Sequence, residues 1–332
     1  MQYQVRCISC KRRYNLSQCY TLCVDCGHTL DMPPSIYDDV ISYYIADWEY
    51  KNFNIGNTSM MRHIDNCFFK LEYDNPTWSF KDRGTLLELW FALKEGYSKI
   101  VCASTGNMAV SITYFASMLW LTTVVFVPAS TPNCRIDMIK KYGASVQIVK
   151  WNYDKCNQLA AQYAKNTRSM LCWDFLLRRM WQWSCAKELI WYNFDYIIIP
   201  IWNWTFWNWV MQTYFTKSNY HTTFVFLQWI WCAPIYQAWL LKNDIIPIQN
   251  PTTIWNYFKV WSPLEWDLSL ELLSQYDGIC DHISDKEMLF AQKKLLTSMI
   301  YINTTAASTY ARYLKQRSKL IDKKICCILT GI

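Results

Sequence analysis

From residue 100 onward, short apolar runs of strand length alternate with helical segments, and this alternation limits the fold more than any other feature of the chain. Residues 100–103 are expected as a buried strand, 108–119 as a helix, and 122–127 as a β-branched strand ended by Pro128. A helix is expected at 136–142, stopped by Gly143, then a strand at 146–149 and a helix at 154–166 opened by an acidic N-cap. Further apolar runs lie at 196–199, 224–227 and 325–329, with helical segments such as 184–190 and 285–298 between them. Strands alternating with helices imply an α/β fold of parallel sheets with helices on both faces. Such sheets bind ligands at the C-terminal ends of their strands, in the loops that lead into helices.

The N-terminal 34 residues differ from the rest. They are rich in cysteine and basic residues and end at Pro33-Pro34, a natural linker. Cys7-x2-Cys10 and Cys23-x2-Cys26 are separated by twelve residues. Two such knuckles can set four thiolates tetrahedrally around one zinc ion, the alternative being four unligated thiols. A unit this small has no core of its own, so the metal would supply its folding energy. Cys19 is poorly spaced for ligation and is expected to be spare.

The composition excludes several classes. The chain has 332 residues, 52% of them apolar, enough for about two domains with a sizeable core. The net charge of +7 comes with 18% charged residues and no long Lys/Arg block, so no nucleic-acid partner is expected. Residues 115–127 are too short and too Thr-rich to cross a bilayer, which needs about 20 apolar residues. The first ten residues have no signal-peptide character, so the fifteen cysteines are expected reduced, in the cytoplasm.

Four further segments carry chemistry. In Ser79-Phe80-Lys81-Asp82-Arg83-Gly84, a loop leads into a helix. A lysine held there and partly desolvated can act as a Schiff-base nucleophile, although on physics alone most such lysines are surface residues. Ala103-Ser104-Thr105-Gly106-Asn107 follows a strand and opens a helix. Its N–H groups can bind an anion such as a substrate carboxylate, the alternative being an ordinary capped turn. The loop Trp202-Asn203-Trp204-Thr205-Phe206 is located where a phosphate cradle belongs, but two indoles would fill the space that glycine leaves open. Thr330 ends the last apolar run, where a hydroxyl can bond a ring nitrogen.

Asn75-Pro76-Thr77-Trp78-Ser79-Phe80-Lys81-Asp82-Arg83-Gly84 and Ala103–Asn107 together resemble threonine synthase, a family of the tryptophan-synthase-like (fold type II) enzymes that use pyridoxal 5′-phosphate. The likeness extends through Val124–Pro128, Lys141–Ala144, Cys232–Ile235 and Asp285–Glu287 to Leu329–Gly331, and the cysteine unit is similar to the short ribbon that starts many of these synthases. It implies a two-domain catalytic region over residues 35–332, with a smaller subdomain inserted at about 85–170, behind a zinc-ribbon-like unit at 1–34. It also implies that Lys81 carries the cofactor and moves protons, and that Asn107 binds the cofactor's 3′-oxygen. Residues 202–206 would hold its phosphate and Thr330 would face its ring nitrogen. Ser104, Thr105 and Gly106 would take the substrate carboxylate, and Arg179 loosely matches an arginine that binds the substrate's phosphate. The implied reaction turns O-phospho-L-homoserine and water into L-threonine and phosphate. A threonine dehydratase, cysteine synthase or cysteate synthase is the alternative, and a homodimer stays open.

The departures from the family pattern are of one kind. Trp78, Trp120, Trp151, Trp202 and Trp204 all stand where the family has glycine, and the chain holds 19 Trp and 8 Gly. Glycine is thus about 2% of residues against an average near 7%. Some bacterial lineages decode UGA as glycine, and reading such a gene with UGA as tryptophan gives this pattern. If the indoles are real, blocked cofactor binding and a non-catalytic relic of the fold are expected instead.

Overall fold

The computed structural model describes residues 3–18, 22–44, 52–150, 153–172, 176–201, 205–248 and 265–332. Three short strands, β1 (Gln4–Cys7), β2 (Arg13–Asn15) and β3 (Leu30–Asp31), form an antiparallel sheet in the order β2-β1-β3. Helix α1 (Tyr37–Tyr44) and strand β4 (Met60–Arg62) follow, then β5 (Cys67–Leu71). Helix α2 (Lys81–Lys94) leads into the regular alternation: β6 (Lys99–Ala103), α3 (Asn107–Met118), β7 (Thr122–Pro128), α4 (Asn133–Lys140), β8 (Ser145–Val149), α5 (Tyr153–Thr167) and β9 (Met170–Leu171). The remainder runs α6 (Leu176–Gln182), α7 (Ser184–Ile190), β10 (Tyr196–Pro200), α8 (Thr205–Lys217), β11 (Thr223–Trp229) and α9 (Pro234–Leu241). It closes with α10 (Trp266–Gln275), β12 (Ile279–Ile283), α11 (Asp285–Thr297), α12 (Thr304–Leu320) and β13 (Ile325–Leu329).

Two α/β sheets carry the molecule. The smaller, β8-β7-β6-β9, is wholly parallel and draws its strands from residues 99–171. The larger has the order β12-β11-β10-β13-β5-β4, parallel except for β4 at its edge. Both are covered on two faces. Phe115 and Ala116 of α3 and Leu86 of α2 pack with Cys102 and Val125 on one side of the small sheet, and Cys156, Ala160 and Ala164 of α5 pack with Val101, Val124 and Phe126 on the other. Met288 and Leu295 of α11 and Tyr310 of α12 cover one face of the large sheet, while Leu189 of α7 and Val210 of α8 cover the other. Burial on both faces is why β10, β11 and β13 read as continuous apolar runs and not as alternating ones.

Most expected elements form within a residue or two. The expected helix at 136–142 starts earlier, at Asn133, directly after Pro132, whose extended ψ of 140° makes it the N-cap. Asp154, the expected acidic cap, is the second residue of α5, and Cys19 and Trp151 lie outside the described residues. Seven strands went unread: β1 to β5, β9 and β12. Lys70 interrupts the apolar run of β5, and His282 and Asp281 interrupt that of β12.

Candidate active site

Three distant segments meet where α2 begins. Asn75-Pro76-Thr77-Trp78 makes a turn closed by the Trp78 N–H donating to the Asn75 carbonyl at 2.8 Å. Asp82, buried one residue into α2, accepts from the Thr77 N–H at 2.7 Å and from its hydroxyl at 2.5 Å. Burial pushes its carboxyl up to about 6, against the pull of the Ser111 and Thr77 donors and of Arg178. Lys81 is the first residue of the helix, 8% exposed, with Nζ 4.8 Å from the Phe80 ring centroid.

The end of β13 comes to the same place. The Phe80 N–H donates to the Thr330 carbonyl at 3.1 Å, Ser79 and Gly331 pair as an antiparallel bridge, and the Ile332 N–H donates to the Trp78 carbonyl at 3.2 Å. From the small sheet, Asn107 at the start of α3 donates its side-chain amide to the Ile332 carbonyl at 3.3 Å. A Cβ on Gly331 would lie 2.9 Å from Asn107 Nδ2 and 3.0 Å from the Trp78 carbonyl oxygen, so the absence of a side chain there lets the segments close. Ser104, Thr105 and Gly106 form the turn ahead of α3, where Ser104 Oγ accepts from the Gly106 N–H at 3.3 Å and no side chain caps the helix. N–H groups at an uncapped helix start remain able to bind an anion.

A buried ionic lattice backs the turn. The Arg83 guanidinium donates to both Glu72 oxygens at 2.7 and 2.8 Å and to both Glu188 oxygens at 2.7 and 2.9 Å, and Lys70 pairs with Glu188 from below. Glu188 loses solvation there, yet Arg83 and Lys70 outweigh this and hold its carboxyl down at about 2. A second chain of bonds joins three helices. Thr85 Oγ donates to the Lys81 carbonyl at 2.9 Å, Ser111 Oγ to Thr85 Oγ at 2.8 Å, and Arg178 to Thr85 Oγ at 2.9 Å and to Glu88. None of Glu72, Lys70, Glu188 or Thr85 was singled out from the sequence. A lysine within the otherwise apolar β5 was the available signal, since lysine is almost never fully buried unless paired.

Arg179 lies in the core. Its guanidinium is fully buried, pairs with Glu265 and donates to the Leu30 carbonyl at 3.1 Å. These contacts tie α6 to β3 and to the start of α10, whereas a phosphate-binding arginine must present its fork to the cleft. Trp202, Asn203 and Trp204 lie outside the described residues, and Thr205 and Phe206 open α8.

The four ribbon cysteines do converge. Their sulfurs all lie within 4.8 Å of one another, with Cys7 3.5 Å from Cys26 and Cys10 3.5 Å from Cys23. Thiolates at about 2.3 Å from a tetrahedral zinc would stand roughly 3.8 Å apart, close to this spacing. All fourteen described cysteines are free thiols. Among the described residues no helix is long and apolar enough to cross a membrane.

The end of the last parallel strand, an uncapped helix start and a buried lysine thus lie side by side, an arrangement in the class of sites where a lysine amine can serve as nucleophile. The particular family follows: the chain belongs to the pyridoxal-phosphate dependent enzymes, whose family model matches residues 53–331. It is similar to a threonine synthase of Methanocaldococcus jannaschii, 26% identical over 98% of this chain and 91% of the relative. It is also similar to a biosynthetic L-threonine dehydratase of Staphylococcus epidermidis, 25% identical over 80% of this chain and 66% of that one. A serine racemase structure from maize shares the fold, with a TM-score of 0.77 at 18% identity over 88% of this chain and 92% of that one.

Proposed function

We propose that this protein is a threonine synthase, releasing phosphate from O-phospho-L-homoserine and adding water to give L-threonine. The observation that supports the proposal is that the segments carrying Lys81, Asn107 and Thr330 meet at the Asn75–Trp78 turn. The donor set fits the cofactor of the family: an amine, a side-chain amide, and a hydroxyl at a strand end that can bond a ring nitrogen without protonating it. Lys81 would hold it, Asn107 its 3′-oxygen and Thr330 its ring nitrogen, and residues 202–206 would hold its phosphate with glycine in place of the Trp202 and Trp204 indoles. When bound, the cofactor supplies a sink for the electron pair left at the substrate's Cα.

The chain's own residues do the rest. The N–H groups of residues 104–106 orient the substrate through its carboxylate. Lys81 Nζ, short of water beside the Phe80 ring, takes the Cα proton and then serves the neighbouring carbons, since one mobile base can reach each in turn. Loss of a Cβ proton lets phosphate leave from Cγ, Cγ then takes up a proton, and water adds its hydroxyl at Cβ. The thiols of Cys7, Cys10, Cys23 and Cys26 would hold a structural zinc ion outside this chemistry.

A second reading is favoured by Arg179, whose ion pair with Glu265 leaves the proposed substrate phosphate without its named arginine. A dehydratase acting on a hydroxyamino acid needs no such group. Phosphate release from O-phospho-L-homoserine, measured beside ammonia release from L-threonine, separates the two. Phosphate release alone supports the synthase, and ammonia release alone overturns it. Lys81→Ala is expected to abolish either activity and the Schiff-base absorbance.

A further inference from the structure

Two tryptophans occupy backbone that is built for glycine. Helix α2 ends with Gly96 at φ +81°: the Gly96 N–H donates to the Leu93 carbonyl at 3.0 Å and the Tyr97 N–H to the Ala92 carbonyl at 2.8 Å. Helix α3 ends in the same way around Trp120 at φ +58°, whose N–H donates to the Ser117 carbonyl at 3.4 Å while the Leu121 N–H donates to the Ala116 carbonyl at 2.9 Å. This paired-bond helix ending takes a left-handed residue at its pivot, usually glycine, because a Cβ there crowds the backbone. The Trp120 indole gains nothing in return, being 94% exposed.

The second position is in the lysine turn. Asn75-Pro76-Thr77-Trp78 has an Asn first and a Pro second, the residue types that four-residue turns favour there, and such turns favour glycine fourth. Trp78 holds the fourth place at φ +58° and is 49% exposed. Of the other nine non-glycine residues with positive φ among the described residues, five are Asn or Asp, which tolerate this region, and Lys11, Arg168, Lys242 and Met299 have unbranched flexible side chains. A bulky aromatic side chain in this region is an outlier, and the described residues include two.

We infer that positions 78 and 120 are glycine in the protein as its own cell makes it, through a codon decoded there as glycine and read as tryptophan in the written sequence. The geometry assigns these two positions without reference to any relative, and the assignment is independent of which substrate the site takes. It leaves the turn ahead of Lys81 without an indole.

Trypsin releases residue 78 within the peptide 71–81 and residue 120 within 100–135. Mass spectrometry of both peptides, from protein purified out of the native cells, is the test. The expected result is two peptides lighter by the difference between tryptophan and glycine, with UGA at both codons. Peptide 71–81 should also lack indole fluorescence. A tryptophan mass at either position, or UGG at either codon, overturns the inference.

Discussion

Glu188 stands at the centre of the charges behind the lysine turn, accepting from Arg83 and Lys70 with only 16% of its side chain exposed. Its carboxyl is held at about 2, below its ordinary 4.5. A depressed carboxyl contributes stability that is present above the unfolded value and lost as pH falls through the folded one. The loss therefore falls between about pH 4.5 and 2, and a shift of that size corresponds to about 3 kcal/mol. Glu188→Gln leaves Lys70 and part of Arg83 buried without a counter-charge, so a cost of about 3–5 kcal/mol is expected in urea unfolding at pH 7. The variant should also lose part of the wild type's dependence on pH below 4.5, the lowered carboxyls of Asp65 and Glu287 keeping the rest, and an unchanged acid profile would refute the assignment. At this scale the sequence was legible where chemistry concentrates residue types, at Lys81 and the four cysteines. It was silent on Glu72, Glu88 and Glu188, because an acidic residue carries no mark of burial until its partners arrive from far along the chain.

Helices and strands were legible wherever one face or both stayed apolar, which is why β6, β7, β10, β11 and β13 were all read. Strand β5 was missed because Lys70, its one charged residue, finds Glu188 only in three dimensions. Helix ends test the local rules directly. Ser284 and Glu287 form a reciprocal capping box at the start of α11. Ser284→Ala is expected to cost about 1 kcal/mol, measured as a lower melting temperature. At the end of α3 the expectation has the opposite sign. In protein made with tryptophan at every written position, Trp120→Gly should raise stability by about 1 kcal/mol, since it removes a left-handed Cβ and uncovers no core. A variant that melts lower would show that the indole has a contact of its own.

On the scale of the whole molecule, the cysteine unit is fastened to the body at several points. Thr29 donates its N–H and hydroxyl to Asp267 at 3.2 and 2.6 Å, and Arg179 reaches the Leu30 carbonyl from α6. If zinc organises the unit, chelation should release these contacts, and a strong chelator is expected to lower the melting temperature by several degrees. Asp267→Ala should shrink that response, and a melting curve indifferent to the chelator would leave the four thiols without a metal. The two sheets raise a different matter. Lys81 is pinned to the small-sheet side through Thr85 and Ser111, and its immediate neighbours Ser79 and Phe80 are pinned to the last strand of the large sheet. The backbone on either side of Lys81 is therefore tied to both sheets, so any change in the angle between them would be felt first at this residue.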